Sequence, residues 1–537
     1  MSASEILDSH QVCLRTLFIS FNRKLVSSIN INSSDIAVLG PPTLPVIGNL
    51  HQIPPRRTHL QFAKWAKQYG EIFSLKFGPA TSIVISSPRL IKQLVDKKSN
   101  LYSRRPPSHV GGIIGGGDHL LLMQYSDQWR TCRKLVHQYF MESIVVKSHI
   151  SVVEAEAVQM LRDFVIQPEG HMKHPKRFSN SIIMSLIYGT RTPDCKTKHM
   201  VKLYSLMENW SKVMEAGNTP PVDIFPFLKL VPEKFLGMWR SRAQDVGKEM
   251  TALYSEWVEY GIERRRNLGS RDCFLDKVLD QEEKIGLDRH GLYFLCGTLM
   301  EGGSDTTSSL IIAFIHAMTK WPEVLKKAQQ EVDSVVGENR TPTWEDFAKL
   351  PYITACVKEA HRWRPVTPLA FPHSLAEDDW VDGMFLPKGS DIFINAFGMH
   401  HDEKRFPNPD VFNPDNFKGV TALASELAVG DYANRDHYGY GSGRRLCPGI
   451  HLAERNLFLA IAKLVWGFDI GPGRDAKGNV IEPDVSHETG YCAGFLVCAE
   501  DFPATITVRS EARKATILRE YDAARAAVFS KYETPKE

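Results

Sequence analysis

Residues 288–321 carry one helical pattern without a break, the longest in the chain, and Pro322 opens a second helix directly behind it. At about 1.5 Å per residue such a helix runs roughly 50 Å, long enough to cross an entire domain. Its middle reads Gly302-Gly303-Ser304-Asp305-Thr306-Thr307. Adjacent glycines cost on the order of 1 kcal/mol each relative to alanine, so a helix kept only for structure would not favour them. Thr306 can also hydrogen-bond back to the carbonyl of Gly302, four residues earlier, and compete with the regular ladder. The expectation is a helix bent in its middle, with a local groove flanked by an alcohol and a carboxylate. A kink kept for packing is the plainer alternative.

Helical periodicity also dominates most of the stretch ahead of this helix, as at 160–164, 248–266 and 273–279. Strand alternation is confined to short pieces. Residues 72–77 and 81–86 alternate about Gly78-Pro79 and predict a hairpin, and Ser87-Pro88 then supplies an N-cap with proline at the first helical position. The chain has 537 residues, 43% of them hydrophobic, and can bury a large core. The fold predicted is mostly α with small β-sheets in a single large domain. Five glycines between Gly111 and Gly117 make 108–123 too flexible for a helix interior, and this segment is expected to be a mobile loop.

A second stretch, Tyr440-Gly441-Ser442-Gly443-Arg444-Arg445-Leu446-Cys447-Pro448-Gly449, has the make-up of a loop that offers one thiolate to a metal. Gly441, Gly443 and Gly449 let the backbone turn sharply and lie close to a flat ligand. Arg445 can offer a fork of donors to a carboxylate, and Pro448-Gly449 opens a helix whose N-terminus favours a thiolate over a thiol. A buried free cysteine is the common fate of this residue type, but the glycine and arginine framing argues against it here.

The pattern aromatic-x-x-Gly-x-Arg-x-Cys-x-Gly, filled by Tyr440, Gly443, Arg445, Cys447 and Gly449, resembles the cysteine-ligand loop of the cytochrome P-450 superfamily of haem-thiolate monooxygenases. The resemblance implies haem b (iron protoporphyrin IX) held between a long distal helix and a proximal cysteine loop followed by a helix, with Cys447 as the iron ligand. Trp129 and Arg133, four apart and so on one helix face, resemble the family's Trp-x-x-x-Arg pair, which with Arg445 would hold the haem propionates. The six residues from Gly302 match the family's oxygen-activation motif. Thr306 would donate a hydrogen bond and Asp305 would relay protons through water. Glu359 and Arg362 resemble the structural Glu-x-x-Arg pair. Two positions depart from the pattern: Tyr440 stands where phenylalanine is usual, and Asn416 stands where the brace usually has a third partner, an arginine. Segments 366–371 and 490–495 would line the substrate pocket, and 448–455 is similar to fungal members that decorate secondary metabolites.

The expected reaction is insertion of one atom of dioxygen into a small apolar organic substrate. An isomerase or dehydratase acting on a peroxide, and a haem carrier without turnover, are the rivals. No Gly-x-Gly-x-x-Gly follows a strand, so electrons are expected from a separate reductase, by family analogy an NADPH-dependent flavoprotein, docking on Arg130, Lys134 and Arg444. A net charge of +3, from 65 basic and 62 acidic residues, argues against nucleic acid as a partner. Nine widely spaced cysteines form neither a disulfide framework nor a zinc pair and point to a reducing compartment. Residues 1–39 contain no apolar run approaching the roughly 20 residues of a membrane span. The family location is the cytosolic face of the endoplasmic reticulum; without an anchor in this stretch the expectation is a peripheral or a soluble chain, or one whose natural start lies elsewhere. The domain reading is a segment 1–39, a haem domain 40–509 and a charged helical tail 510–537, in a monomer.

Overall fold

A computed structural model describes residues 36–215 and 218–533. The expectation of no spanning helix in 1–39 therefore lies mostly outside the described residues. Among the described residues, no helix is long and apolar enough to cross a membrane.

The long helix runs Arg289–Lys320, capped by Asp288, whose side chain accepts from the Gly291 amide at 2.7 Å. It is apolar on nearly every side, burying Leu292, Phe294, Leu295, Leu310, Ile311 and Phe314 among others, so it has to lie inside the molecule. The helices His174–Tyr188, Trp239–Leu268, Pro351–Trp363 and Ile450–Gly467 pack around it. Glycines set how near two of them come. A Cβ on Gly303 would lie 2.6 Å from Ile183 Cγ1, and one on Gly297 would lie 2.3 Å from the Tyr254 ring. Both sites therefore require glycine for close helix contact.

The hairpin forms as expected, with strands Ile72–Phe77 and Ala80–Ile85 antiparallel, Phe77 opposite Ala80. It extends into a four-stranded sheet through the parallel partner Asp391–Ile394 and then His373–Ser374. A three-stranded sheet (Ile36–Ala37, Met384–Leu386, Asp379–Val381) and a two-stranded one (Phe468–Pro472, Ala504–Val508) complete the β structure. The mostly α expectation holds. Past Ser510, the helix Glu511–Ala527 buries Ile517 and packs on Ile150–Ile166.

The glycine-rich segment corrects the expectation of a loop. Residues His109–Gly115 form a helix, with Ser108 Oγ capping the Gly111 amide at 3.0 Å and Gly116 closing it at φ 58°. Val110 and Ile114 are buried, and Gly247 of the helix Trp239–Leu268 lets it approach the Ile114 backbone, where a Cβ would lie 2.9 Å from the carbonyl oxygen. Tertiary burial offsets the poor helix propensity of these glycines.

The Glu359 and Arg362 side chains are fully buried and joined by two hydrogen bonds of 2.6 and 2.7 Å. Arg362 also donates to the carbonyls of His400, Pro409 and Val411 at 2.8–3.0 Å. Asn416 does reach the pair, donating to Glu359 at 3.3–3.4 Å, while the Asn413 amide donates at 2.7 Å. The absent arginine is thus replaced by two neutral donors.

The proline-rich segment 40–50 packs on the hairpin: the Asn49 amide donates to the Lys76 carbonyl at 2.6 Å, and a Cβ on Gly40 would fall 1.9 Å from Ser74 O. Its apolar side chains Leu44 and Val46 face outward, as do Leu39 just ahead of it and Phe227, Leu230 and Phe235 of the segment 224–238. The Gly78 turn touches both segments, bonding the Ile47 carbonyl and abutting Phe225.

Candidate active site

Between the middle of the long helix and the Cys447 loop lies a cavity of about 290 Å³. Cys447, Tyr440, Arg445, Trp129, Arg133 and Thr306 all line it, as do Gly302, Gly441 and Gly449. Sequence positions more than 300 residues apart thus meet as the resemblance implied.

The loop is shaped by its backbone. Gly441 and Gly443 take φ 73° and 63°, a region closed to most side chains, and Gly443 lies so near Val95 that a Cβ would be 2.5 Å from its carbonyl oxygen. Gly449 needs no such freedom: it is the N-cap of Ile450–Gly467 at φ −93°. The Cys447 amide donates to the Tyr440 carbonyl at 2.8 Å and the Leu446 amide to Gly443 at 3.1 Å, which presents the sulfur at the cavity wall. Arg435, not foreseen from the sequence, bonds Ser442 Oγ at 2.9 Å and the Gly441 carbonyl, and holds the loop from behind. Burial pushes the Cys447 thiol up, while the Gly449 backbone N–H and the Arg133 guanidinium pull it down.

One wall is cationic. Arg133 donates to the Leu446 carbonyl. Arg445 lies 4.2 Å over the Trp129 ring and donates to the carbonyls of Ser103 and Met123 at 3.0 and 2.8 Å, leaving its buried Nη1 without a partner. Arg105, which sequence reasoning missed, donates to Leu121, Phe371 and Pro372 carbonyls at 2.7–3.0 Å. Burial, then the charge of Arg445, pulls Arg105 down to about 9; burial, then Arg133, pulls Arg445 down to about 10. His373 beside them falls to about 3 through burial and the two guanidinium charges. Among the described residues, none of the three arginines is ion-paired. Buried cations without counter-charges are costly, so this wall requires an anionic ligand. A flat macrocycle bearing two carboxylates fits the wall, the unpartnered Nη1 and the sulfur on the same cavity.

On the long helix, Thr306 Oγ1 donates to the Gly302 carbonyl at 2.8 Å, the back-bond expected from the sequence. The adjacent glycines do different work. Gly303 meets Ile183, whereas a Cβ on Gly302 would find nothing within 4 Å, leaving space on the cavity side. Asp305 does not line the cavity: burial pushes its carboxyl up, and Lys176 on the neighbouring helix pulls the other way. Nearby, Tyr204 donates to the Ser304 carbonyl at 3.1 Å. The Tyr440 hydroxyl, absent where the family has phenylalanine, sits 3.2 Å from His361 Nε2. Val366, Thr367, Ala370 and Phe371 line the cavity, and so do Phe495 and Leu496.

Comparison with known proteins agrees with this geometry. The family model for cytochrome P-450 matches residues 38–488. The cytochrome P-450 monooxygenase yanC of Aspergillus niger is 52% identical over 503 residues, covering 92% of this chain and 94% of the relative. The monooxygenase atE of Aspergillus terreus is 54% identical, covering 92% and 91%, and patH of Penicillium expansum is 51% identical, covering 92% and 93%. With the sulfur, the cationic wall and the Thr306 hydroxyl around one cavity, and with these matches along nearly its whole length, the chain belongs to the cytochrome P-450 family and is a haem b-dependent monooxygenase.

Proposed function

We propose that this chain is a secondary-metabolite monooxygenase in which Cys447 ligates the haem iron, Trp129, Arg133 and Arg445, joined by Arg105, hold the propionates, and Thr306 with Asp305 manages protons. The observation that carries this reading is the juxtaposition of the Cys447 sulfur with three guanidinium groups that have no carboxylate partner among the described residues, one of them with a free buried Nη1, around one cavity. Haem b, when bound, supplies the activation of dioxygen, one atom of which enters the substrate while the other leaves as water. Thr306 places its hydroxyl inside the cavity, on the helix face shared with Gly302; its single proton rests on the Gly302 carbonyl and has to rotate away from it to reach a ligand. Asp305 stands one residue away, off the cavity wall and in the field of Lys176, and its raised carboxyl can pass a proton inward through water. The remaining walls, including Leu120, Leu121, Met207 and Leu299, exclude water and suit a compact, largely apolar body.

Electrons come from a separate NADPH-dependent flavoprotein reductase, for which the exposed Arg130, Lys134 and Arg444 near the loop offer a docking face. Reconstitution with such a reductase tests both points. Thr306→Ala is expected to lower product formation by about 10²-fold or more while NADPH and oxygen are still consumed. A parallel fall in consumption and product contradicts the proton role, and an absence of NADPH consumption by the wild-type pair contradicts the reductase.

The eight described cysteines are free, which supports an intracellular location. We assign the exposed apolar residues Leu44, Val46, Phe227, Leu230 and Phe235 to peripheral contact with a membrane surface. The full chain is expected to co-sediment with phosphatidylcholine vesicles, and Leu230→Ser combined with Phe235→Ser to lower the bound fraction several-fold. Equal sedimentation of the two proteins contradicts the assignment.

A further inference from the structure

The distal half of the cavity contains a feature that an apolar substrate does not explain. His119 and Glu301 both line it, 2% and 3% exposed, with His119 Nε2 3.1 Å from Glu301 Oε2. Tyr254 donates to the other carboxylate oxygen. Glu301 immediately precedes Gly302, so the pair adjoins the helix segment that carries Thr306. A carboxylate can only accept, which places a ring proton on Nε2 and leaves Nδ1 as the ring atom free to bond a ligand. That Nδ1 is buried and has no partner among the described residues.

The ring is also held in place. His119 stacks on Trp210 at 5.4 Å between centroids and 23° between planes, and Phe294 meets its edge at 6.3 Å. Trp210 lines the same cavity, and its Nε1, a donor only, is likewise buried and unpartnered. Two stacked rings on one wall thus offer two spare polar atoms, Nδ1 of His119 and the Nε1 donor of Trp210. The complement of that pair is a hydroxyl group, which donates through hydrogen and accepts through oxygen. Thr298 Oγ1 and Ser179 Oγ, on the same cavity, are unpartnered as well. Native interiors leave few polar atoms unsatisfied, and a cluster of them on a ligand chamber is explained when the ligand satisfies them. The aromatic neighbours favour a flat body beside that hydroxyl: Phe495 packs edge-on against Trp210 at 5.6 Å and against Phe371 at 4.5 Å.

We propose that the substrate carries a hydroxyl group on a compact ring, and that His119, oriented by Glu301 and Tyr254 and paired with Trp210, binds that hydroxyl and determines specificity. Glu301 and Tyr254 act through His119 and are positioning residues. The inference rests on the reading of this cavity as the haem and substrate chamber.

The test is a titration of the haem-loaded enzyme with matched probes, phenol against toluene and cyclohexanol against methylcyclohexane, read by the shift of the haem absorbance band. The hydroxyl member of each pair is expected to bind at least about tenfold more tightly. His119→Phe keeps the ring and its stacking and is expected to abolish that preference while leaving the affinity for the methyl member unchanged. Trp210→Phe removes only the Nε1 donor and its outer ring, and is expected to lower the preference with His119 intact, should the first variant fold poorly. No preference in the wild type, or a preference retained in His119→Phe, overturns the proposal. A pair that served only to brace the helix would weaken both probes equally, which is also an overturning result. The ferrous carbonyl spectrum of the same sample separates the two layers: a thiolate band without probe discrimination removes this inference alone, and a missing thiolate band removes the reading beneath it.

Discussion

Cys447→Ser is expected to reduce monooxygenase turnover by more than about 10²-fold, beyond the loss typical of residues that only support a ligand. Serine is nearly isosteric, and the loop does not depend on sulfur for its shape. The Tyr440 carbonyl, the positive φ of Gly441 and Gly443, and the Arg435 contacts to Ser442 and Gly441 fix the loop independently. The cationic wall is untouched, so the variant is expected to fold and still to retain haem in part. What disappears is the soft, electron-rich donor that favours O–O cleavage. Turnover measured with the reductase, alongside haem content by absorbance, checks this. More than a tenth of wild-type turnover in a haem-loaded Cys447→Ser protein would contradict the assignment of the ligand.

The largest effect on stability is expected at Arg362. Its guanidinium and the Glu359 carboxylate are both fully buried, and the arginine makes five hydrogen bonds, two to Glu359 and three to carbonyls of the segment 400–411. Truncation to alanine strands a buried carboxylate whose acidity burial already weakens, and leaves three carbonyls unpaired. Arg362→Ala should therefore destabilise the fold by about 3–5 kcal/mol. Asn416→Ala, which removes only one neutral donor at 3.3–3.4 Å, should cost about 0.5–1.5 kcal/mol. Urea unfolding of the two variants checks the order, and a smaller loss for Arg362→Ala than for Asn416→Ala would contradict it.

Much of this architecture was legible because it is periodic or local. The long helix starts and stops within a residue of its sequence signals, Asp288 and Pro322, and the hairpin follows its alternation about Gly78. The Cys447 loop was legible because a sharp backbone turn demands glycine, and two of its three glycines do adopt positive φ. Other features were hidden because they depend on partners distant in sequence. Helix His109–Gly115 exists through burial against Trp239–Leu268, which no propensity encodes. The His119 to Glu301 contact spans 182 positions and has no spacing to betray it. Arg105 and His373 gave only a faint signal, a charged or polar residue beside a proline in a stiff segment. The orientation of Asp305 was not legible: three residues after Gly302 and one before Thr306, it lies at the edge of the same helix face, and only packing decides which way it turns.

The most direct test of the central claim is the absorbance spectrum of the purified, haem-loaded protein after reduction and exposure to carbon monoxide. A sulfur donor from Cys447 predicts the strongly red-shifted Soret band of a thiolate-ligated ferrous carbonyl. A band at the position given by a nitrogen or oxygen donor, or a protein that stays colourless when supplied with haem, would contradict it.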